Sequence, residues 1–302
     1  MRPFTSPIRP EDVGELLDLT VADKPDSDSM AQMQLEGIAA LYDILVERPY
    51  AVLADEVGMG KTYQALGLAA VLWNEKPDAR VLFISPRENL QVKWHDDYRR
   101  FFASNYRRHQ GLGDDRAASV LFGQPLHAPR RFNNLRGWCA SLGIPRRVAA
   151  FLRHTSFTRP VYLTRNDLGD LDALWARTKR RLRSWGLFEV ERPESLHRDT
   201  ASRQLNLCFA DALNRRLAAL GGGRSYYDLV IIDESQCLRH PNNQSNSVLH
   251  RALRGQAARW LFLSATPAHG GPGDLPTILN HYPRAGQVLD PRLAQDLPAL
   301  QK

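Results

Sequence analysis

At residues 54–62 the chain reads Ala54-Asp55-Glu56-Val57-Gly58-Met59-Gly60-Lys61-Thr62, directly after an apolar run over Tyr50–Ala54. The glycines let backbone N–H groups approach phosphate oxygens with no side chain in between. Lys61 can then reach the β and γ phosphates of a nucleotide, and the Thr62 hydroxyl can bind Mg²⁺. A helix pattern over Thr62–Asn74 adds its positive N-terminal end. A strand, a glycine loop and a helix in this order predict an α/β sheet with a phosphate-binding loop at Gly58, Met59, Gly60, Lys61 and Thr62.

The loop departs from the general pattern G-x-x-x-x-G-K-[ST] at its first position, where Asp55 stands. Taken alone, the stretch is therefore also compatible with a glycine turn before an ordinary helix.

Three further apolar runs are typical of buried parallel strands, namely Arg80–Ser85, Tyr227–Ile232 and Trp260–Ser264. Ser29 is predicted to cap a helix through Glu47, with an apolar face formed by Met33, Gly37, Ala40, Leu41 and Leu45. Ligands of mostly parallel sheets bind at the carboxyl ends of the strands, so the site is expected there.

An acidic pair, Asp233-Glu234, follows the apolar run Leu229–Ile232. Asp233 can hold Mg²⁺ through its water shell, while Glu234 polarises the attacking water. A carboxylate pair after a strand is also a common way to end that strand. The lysine loop upstream favours the chemical interpretation, with Lys61, Asp233 and Glu234 as the catalytic residues and Thr62 and Asp233 as the metal ligands.

Basic residues are concentrated in the middle of the chain, with 24 basic and 10 acidic residues between Arg99 and Arg224. Residues 104–224 are predicted to form a mostly helical, arginine-rich insertion. One helix face there carries Leu171, Leu174, Trp175, Thr178, Leu182 and Trp185. A second helical pattern, formed by Phe209, Leu213, Leu217 and Leu220, is predicted to end at the C-cap Gly221-Gly222-Gly223. Arg177, Arg180, Arg181 and Arg183 lie off that face and are predicted to contact nucleic acid. A solvated arginine-rich surface is the alternative.

Composition narrows the class of protein. The chain has 302 residues, 43% of them hydrophobic, and a net charge of +7, which suits one or two globular domains. Its longest apolar run, Leu66–Trp73, is too short for a membrane span. Three scattered cysteines favour neither a disulfide framework nor a zinc site. We therefore expect a cytoplasmic protein with no membrane partner, an irregular leader over residues 1–28 and a single lobe over 29–302.

Five segments in order resemble helicase superfamily 2, and within it the Swi/Snf-type ATPases of bacterial type. Gln34-Leu35-Glu36-Gly37 is similar to the adenine-recognising glutamine motif, and Asp55–Thr62 has the Asp-Glu-x-Gly-x-Gly-Lys-Thr form that is usual in the family. Ser85-Pro86-Arg87, with Leu90 and Trp94, is similar to motif Ia. Asp233–Gln236 is similar to the Asp-Glu-Ala-His or Asp-Glu-Ala-Gln box, and Ser264-Ala265-Thr266-Pro267 is similar to motif III. Val161–Thr164 is a weaker counterpart of motif Ib.

The resemblance implies a RecA-like P-loop lobe that binds ATP and Mg²⁺ and belongs to a translocase on double-stranded DNA. It implies that Gln34 contacts adenine, that Arg87 contacts the nucleic-acid backbone, and that Ser264 and Thr266 couple hydrolysis to movement of the lobes. It also implies a second RecA-like lobe, in cis or in trans, without which hydrolysis by these residues is expected to be slow.

Two other functions stay open. One is a DNA or RNA helicase of the same superfamily that separates strands. The other is a non-catalytic, nucleotide-gated module that binds nucleic acid or docks a protein partner through the 104–224 insertion.

Overall fold

A six-stranded parallel sheet organises the computed structural model, which describes residues 4–20, 27–54, 59–107, 120–121, 124–125, 129–143, 149–240, 242–265 and 278. The strands are β1 (Tyr50–Leu53), β2 (Val81–Ser85), β3 (Val120–Leu121), β4 (Gln124–Pro125), β5 (Arg130–Arg131), β6 (Ala149–Arg153), β7 (Tyr227–Ile232) and β8 (Ala257–Leu263). The α-helices are α1 (Pro10–Leu16), α2 (Ser27–Glu47), α3 (Lys61–Glu75), α4 (Glu88–Ser104), α5 (Leu135–Ser141), α6 (Leu171–Arg183), α7 (Ala201–Gly221) and α8 (Gln244–Leu253). Short 3₁₀ turns cover His154–Phe157, Arg165–Gly169 and Ser235–Leu238.

The strand order is β1-β8-β7-β2-β6-β5, and every neighbouring pair is parallel. This confirms the predicted RecA-like α/β class with a mostly parallel sheet. The four predicted strands are β1, β2, β7 and β8. The strands β3 and β4 form a separate antiparallel pair.

Each central strand serves two hydrophobic cores, because successive side chains of a strand point to opposite faces. In β2, Val81 and Phe83 join the core under α1–α4, whereas Leu82 and Ile84 join the core under α5–α8. The same alternation holds in β7 and β8. Burial on both faces explains why these strands read as continuous apolar runs.

Helix α2 differs in detail from its prediction. It begins at Ser27, and its buried side includes Gln34, Ile38, Tyr42 and Leu45. Of the predicted face, Met33 is 52% exposed. The helix turns this side inward because α1 and α3 both pack against it, which shifts the buried stripe towards Ile38 and Tyr42.

The expectation of an irregular leader over residues 1–28 is wrong for α1. This helix begins with a proline in its first turn, and the Asp12 carboxylate accepts a hydrogen bond from the backbone N–H of Arg9 at 3.2 Å. It buries Val13 and Leu16 against α2. Seven residues are too few for helical periodicity to stand out in a sequence, which is why the helix was not expected.

The stretch 104–224 contains the predicted helices, but it is not an insertion between the strands of the sheet. It supplies β5 and β6, and β6 pairs with β2 along its whole length. The sequence of β6, Ala-Ala-Phe-Leu-Arg, is short and alanine-rich, so it gave no strand signal. The weaker motif Ib counterpart, Val161–Thr164, lies in an irregular segment beyond this strand.

Helices α6 and α7 follow their predicted patterns. In α6 the buried residues are Leu174, Trp175, Thr178 and Leu182, as the apolar face predicts. Helix α7 ends at Gly221, and Gly222 caps it in the left-handed conformation. Within the described part of the chain, no helix has both the length and the apolar character needed to cross a membrane.

Candidate functional site

The sheet brings the lysine loop and the acidic pair to the same edge. Strand β1 ends at Leu53 just before the loop, and β7 ends at Ile232 just before Asp233. Strand β8 lies between them, so the two strand ends are two spacings, or about 10 Å, apart. The gap provides room for a chain of phosphates between the loop and the carboxylates. Asp55 and Gly58 lie outside the described residues.

Gly60 shapes the start of α3. It is the N-cap of this helix, with φ of 80°, a left-handed conformation that strongly favours glycine. Lys61 and Thr62 are the first two residues of α3 and are half-buried. The N-terminal end of α3, where the first N–H groups have no carbonyl partner within a helix, therefore lies at the same edge of the sheet as Lys61.

Gln34 of α2 packs directly on the loop. A β carbon built on Gly60 would lie 2.1 Å from Gln34 Nε2, so the amide covers the backbone at a point where only glycine fits. Gln64 of α3 donates from Nε2 to the carbonyl oxygen of Met59 at 3.3 Å. Gln34 thus lies against the predicted nucleotide loop, and its contact with adenine stays a prediction.

Asp233 is a buried carboxylate held by two donors. Trp94 Nε1 of α4 donates to its Oδ2 at 2.9 Å, and the backbone N–H of Glu234 donates to its Oδ1 at 3.0 Å. Burial raises the pKa of Asp233, the nearby Glu234 adds to this rise, and the bond from Trp94 and the charge of Lys61 oppose it. The carboxylate therefore lies within electrostatic reach of Lys61 and gains from a cation.

Glu234 adopts a left-handed conformation, with φ of 50° and ψ of 51°. Such a conformation is unfavourable for a residue with a side chain and is concentrated at functional sites. Gln236 Nε2 donates to Glu234 Oε2 at 2.5 Å, and Gln236 Oε1 accepts from Ser264 Oγ at 2.8 Å. The Ser264 N–H donates to the carbonyl oxygen of Leu53. One chain of hydrogen bonds therefore joins the ends of β1, β7 and β8; Thr266 lies outside the described residues.

A metal ion at this edge would need oxygen ligands. Among the described residues no group of three or more His, Cys, Asp or Glu side chains could hold a metal without help. The Asp233 carboxylate and the Thr62 hydroxyl are hard oxygen donors, which suit Mg²⁺ when nucleotide phosphates complete its shell. The destabilised negative charge of buried Asp233 fits this use, because a cation offsets its lost solvation.

The predicted nucleic-acid contacts lie in two places. Arg87 is exposed and caps α4 after the carboxyl end of β2, at the same edge as the site. Arg177 and Arg181 of α6 have neighbours, since Arg177 pairs with Asp167 at 2.7 Å and the Arg181 guanidinium lies over the Trp185 ring. Arg180 and Arg183 are exposed.

Neither Trp94 nor Gln236 was predicted to act in the nucleotide site, although Trp94 belongs to the motif Ia resemblance and Gln236 to the Asp233–Gln236 box. Trp94 contacts Asp233 across 139 positions of sequence, and no local pattern could reveal that pairing. Gln236 follows the acidic pair, but its bond to Ser264 spans 28 positions and depends on β7 and β8 being neighbours. A single sequence holds no signal for either long-range contact.

Comparison with known proteins gives a family match over part of the chain and likenesses to solved structures. Residues 28–127 match the protein family described as "Type III restriction enzyme, res subunit". No curated protein matches the chain. A solved structure of a Sulfolobus solfataricus SWI2/SNF2 ATPase core in complex with dsDNA is similar, with 15% identity and a TM-score of 0.47. The likeness covers 92% of this chain and 38% of that one, so the chain spans well under half the length of its structural relative.

Proposed function

We propose that the chain is the ATP-binding lobe of a helicase-like, DNA-dependent ATPase of superfamily 2, and that it acts in translocation on double-stranded DNA. The observation that carries the proposal is the meeting of Lys61, Asp233 and Glu234 at one edge of a parallel sheet, although Lys61 and Asp233 are 172 positions apart along the chain. The family match over residues 28–127 includes the lysine loop and supports the ATP-binding part.

Each residue has a role in the proposed hydrolysis. Lys61 and the N-terminal N–H groups of α3 hold the phosphates and stabilise the charge that develops on them. Glu234 orients the attacking water, and Gln236 fixes its carboxylate through the 2.5 Å bond. Thr62 and Asp233 would hold Mg²⁺, which supplies positive charge to the phosphates when bound.

Equilibrium binding of a fluorescent ATP analogue, together with phosphate release, tests the proposal. Lys61→Ala should abolish binding because the phosphate cation is lost, and Glu234→Gln should keep binding but block hydrolysis. Lys179→Ala, on α6, is the matched control and should change neither quantity. Unchanged nucleotide affinity in Lys61→Ala would contradict the proposal.

Stimulation of phosphate release distinguishes duplex DNA from single-stranded DNA and RNA as the nucleic-acid substrate. A duplex-stimulated rate supports translocation on DNA, whereas stimulation by single strands or RNA favours the strand-separating alternative. Slow turnover by residues 1–302 without a second lobe stays a prediction from the resemblance; supplying that lobe in trans should raise the rate by about 10³ or more.

A further inference from the structure

A groove between α7 and α8 has a volume of about 620 Å³, and its lining includes none of the residues of the proposed nucleotide site. Four arginines line it, namely Arg203 and Arg215 of α7, Arg251 at the end of α8, and Arg254 just beyond. The two helices run in the same direction, since Asp211 of α7 pairs with Arg251 and Asn214 donates to the carbonyl oxygens of Ala252 and Arg254. The two helices therefore form the walls of the groove.

Two of the arginines are held in place by their neighbours. Both Nε and Nη2 of Arg251 donate to the Asp211 carboxylate, the second at 2.7 Å. Arg215 donates to the Glu189 carbonyl oxygen at 2.9 Å and to the Glu191 carboxylate at 3.2 Å. Held guanidinium groups lose little freedom when a ligand binds, which favours binding.

The other two arginines, Arg203 and Arg254, are exposed. Among the residues that the structure describes, neither has a carboxylate within ion-pair distance. Asp211 is the one carboxylate in the lining and is already paired with Arg251. The groove therefore keeps a surplus of positive charge that an anionic ligand can neutralise.

The dimensions and chemistry favour a polyanion with phosphates in a row. Arg203 and Arg215 are 12 positions apart on α7, which corresponds to about 18 Å along the helix. One strand of B-DNA places a phosphate about every 3.4 Å along its axis, so about five phosphates fit this length. Arginine forks suit phosphate oxygens, and the lining has no Phe, Tyr or Trp on which a base could stack.

We propose that the α7–α8 groove binds the phosphate backbone of nucleic acid without reading its sequence. This inference rests on the nucleic-acid part of the proposed function and gives it a location that the sequence did not indicate. The groove lies on the face of the sheet covered by α5–α8, whereas Arg87 lies at the carboxyl edge.

The test measures fluorescence anisotropy of a labelled 20-base-pair duplex of arbitrary sequence as salt is increased. The double variant Arg203→Glu with Arg254→Glu should weaken binding at least tenfold and lower the salt slope by about 1.8, at about 0.9 for each lost phosphate contact. The matched control reverses Arg48, which follows α2, and Lys93 of α4; both are exposed, and among the described residues neither has a carboxylate within ion-pair distance. Both double variants carry the same net charge of +3, so a general charge effect would appear equally in both.

Additional variants and a competitor show whether the groove itself binds the duplex. Equal weakening in the groove variant and the control would overturn the proposal, and so would weakening confined to an Arg180→Glu, Arg183→Glu variant of α6. Poly-glutamate competing as well as an unlabelled duplex would also overturn it, because the groove would then bind acidic proteins. Thermal unfolding checks that both exposed substitutions leave the fold intact.

Binding of the ATP analogue is measured on the same samples and separates the two proposals. Loss of duplex binding with ATP binding retained supports the groove. Wild-type protein that binds ATP but no duplex would overturn the groove and leave the nucleotide site standing. Duplex binding that depends on Arg203 and Arg254, in a protein that does not bind ATP, would support the groove while contradicting the proposed ATPase.

Discussion

At the scale of single residues, the bond from Trp94 to Asp233 connects the packing of α4 with the chemistry of the site. The indole N–H stabilises the charged form of a carboxylate that burial destabilises. A hydrogen bond to a charged group contributes about 1.5–3 kcal/mol. Trp94 is therefore a positioning residue for the proposed metal ligand.

We predict that Trp94→Phe weakens Mg²⁺-dependent binding of the ATP analogue about tenfold, or about 1.4 kcal/mol, because the carboxylate loses a donor. Affinity without Mg²⁺ should change much less. Titrations with and without the metal measure the difference.

Trp73→Phe is the matched control for this change. Trp73 is also buried and also donates its indole N–H, to the Ala79 carbonyl oxygen at 2.9 Å, but it lies in the last turns of α3. The variant Trp73→Phe should lower thermal stability without changing the Mg²⁺ dependence of ATP-analogue binding. Equal effects of the two substitutions on that dependence would rule out a special role for Trp94.

At the scale of elements, the sequence predicted the helices and strands that local sequence patterns determine. The strands β1, β2, β7 and β8 and the helices α3, α6 and α7 are long or strongly apolar, and all appear close to their predicted positions. The lysine loop and the acidic pair were predicted because each is a contiguous motif, and the sheet brings them to the same edge. Helix α1 and strand β6 were missed because tertiary packing, more than local preference, stabilises them.

The junction of the loop with α3 gives a prediction about backbone conformation. Gly60→Ala should destabilise the fold by about 1–2 kcal/mol, since a left-handed residue with a β carbon is strained. It should also weaken nucleotide binding, because the new β carbon would displace Gln34 from the loop. Denaturant unfolding and analogue binding measure the two effects.

The variant Gly255→Ala distinguishes the effect of backbone strain from the effect of a disturbed nucleotide site. Gly255 also has a positive φ, of 74°, but a β carbon there would meet no atom within 4 Å. The variant Gly255→Ala should lower the free energy of unfolding by a similar amount to Gly60→Ala and leave nucleotide affinity unchanged. If Gly255→Ala weakened nucleotide binding as much as Gly60→Ala, the loop explanation would fail.

At the scale of the whole molecule, a buried histidine makes stability depend on pH. His154 follows β6 and donates from Nε2 to Asn246 Oδ1 of α8 at 2.6 Å. Asn246 in turn donates to the carbonyl oxygens of Cys237 and His240, next to the acidic pair. Burial lowers the pKa of His154, against the smaller opposing effect of its bond to Asn246.

The direction of the pH effect follows from this lowered pKa. Below its unfolded value of about 6.5, the unfolded chain binds a proton that the folded chain resists. The contribution of His154 to stability is therefore complete above about pH 6.5 and is lost as pH falls towards the lower, folded pKa. The slope for one proton is at most about 1.4 kcal/mol per pH unit.

We predict that His154→Gln reduces the loss of unfolding free energy between pH 6.5 and 5, because the side chain can no longer take up a proton. Denaturant unfolding at several pH values measures this change. His197→Gln, which alters an exposed histidine, should leave the profile as in the wild type. An identical pH profile in wild type and His154→Gln would contradict the prediction.

The strand order also fixes when the nucleotide site can form during synthesis of the chain. In the described sheet β1 has one neighbour, β8, which is made about 200 residues later. At about 5–20 residues per second, the ribosome needs roughly 10–40 s to make that partner. Throughout this interval the nascent chain presents β1 and its glycine loop without the strand that positions them. The proposed ATP binding is therefore acquired only after β8 has been synthesised.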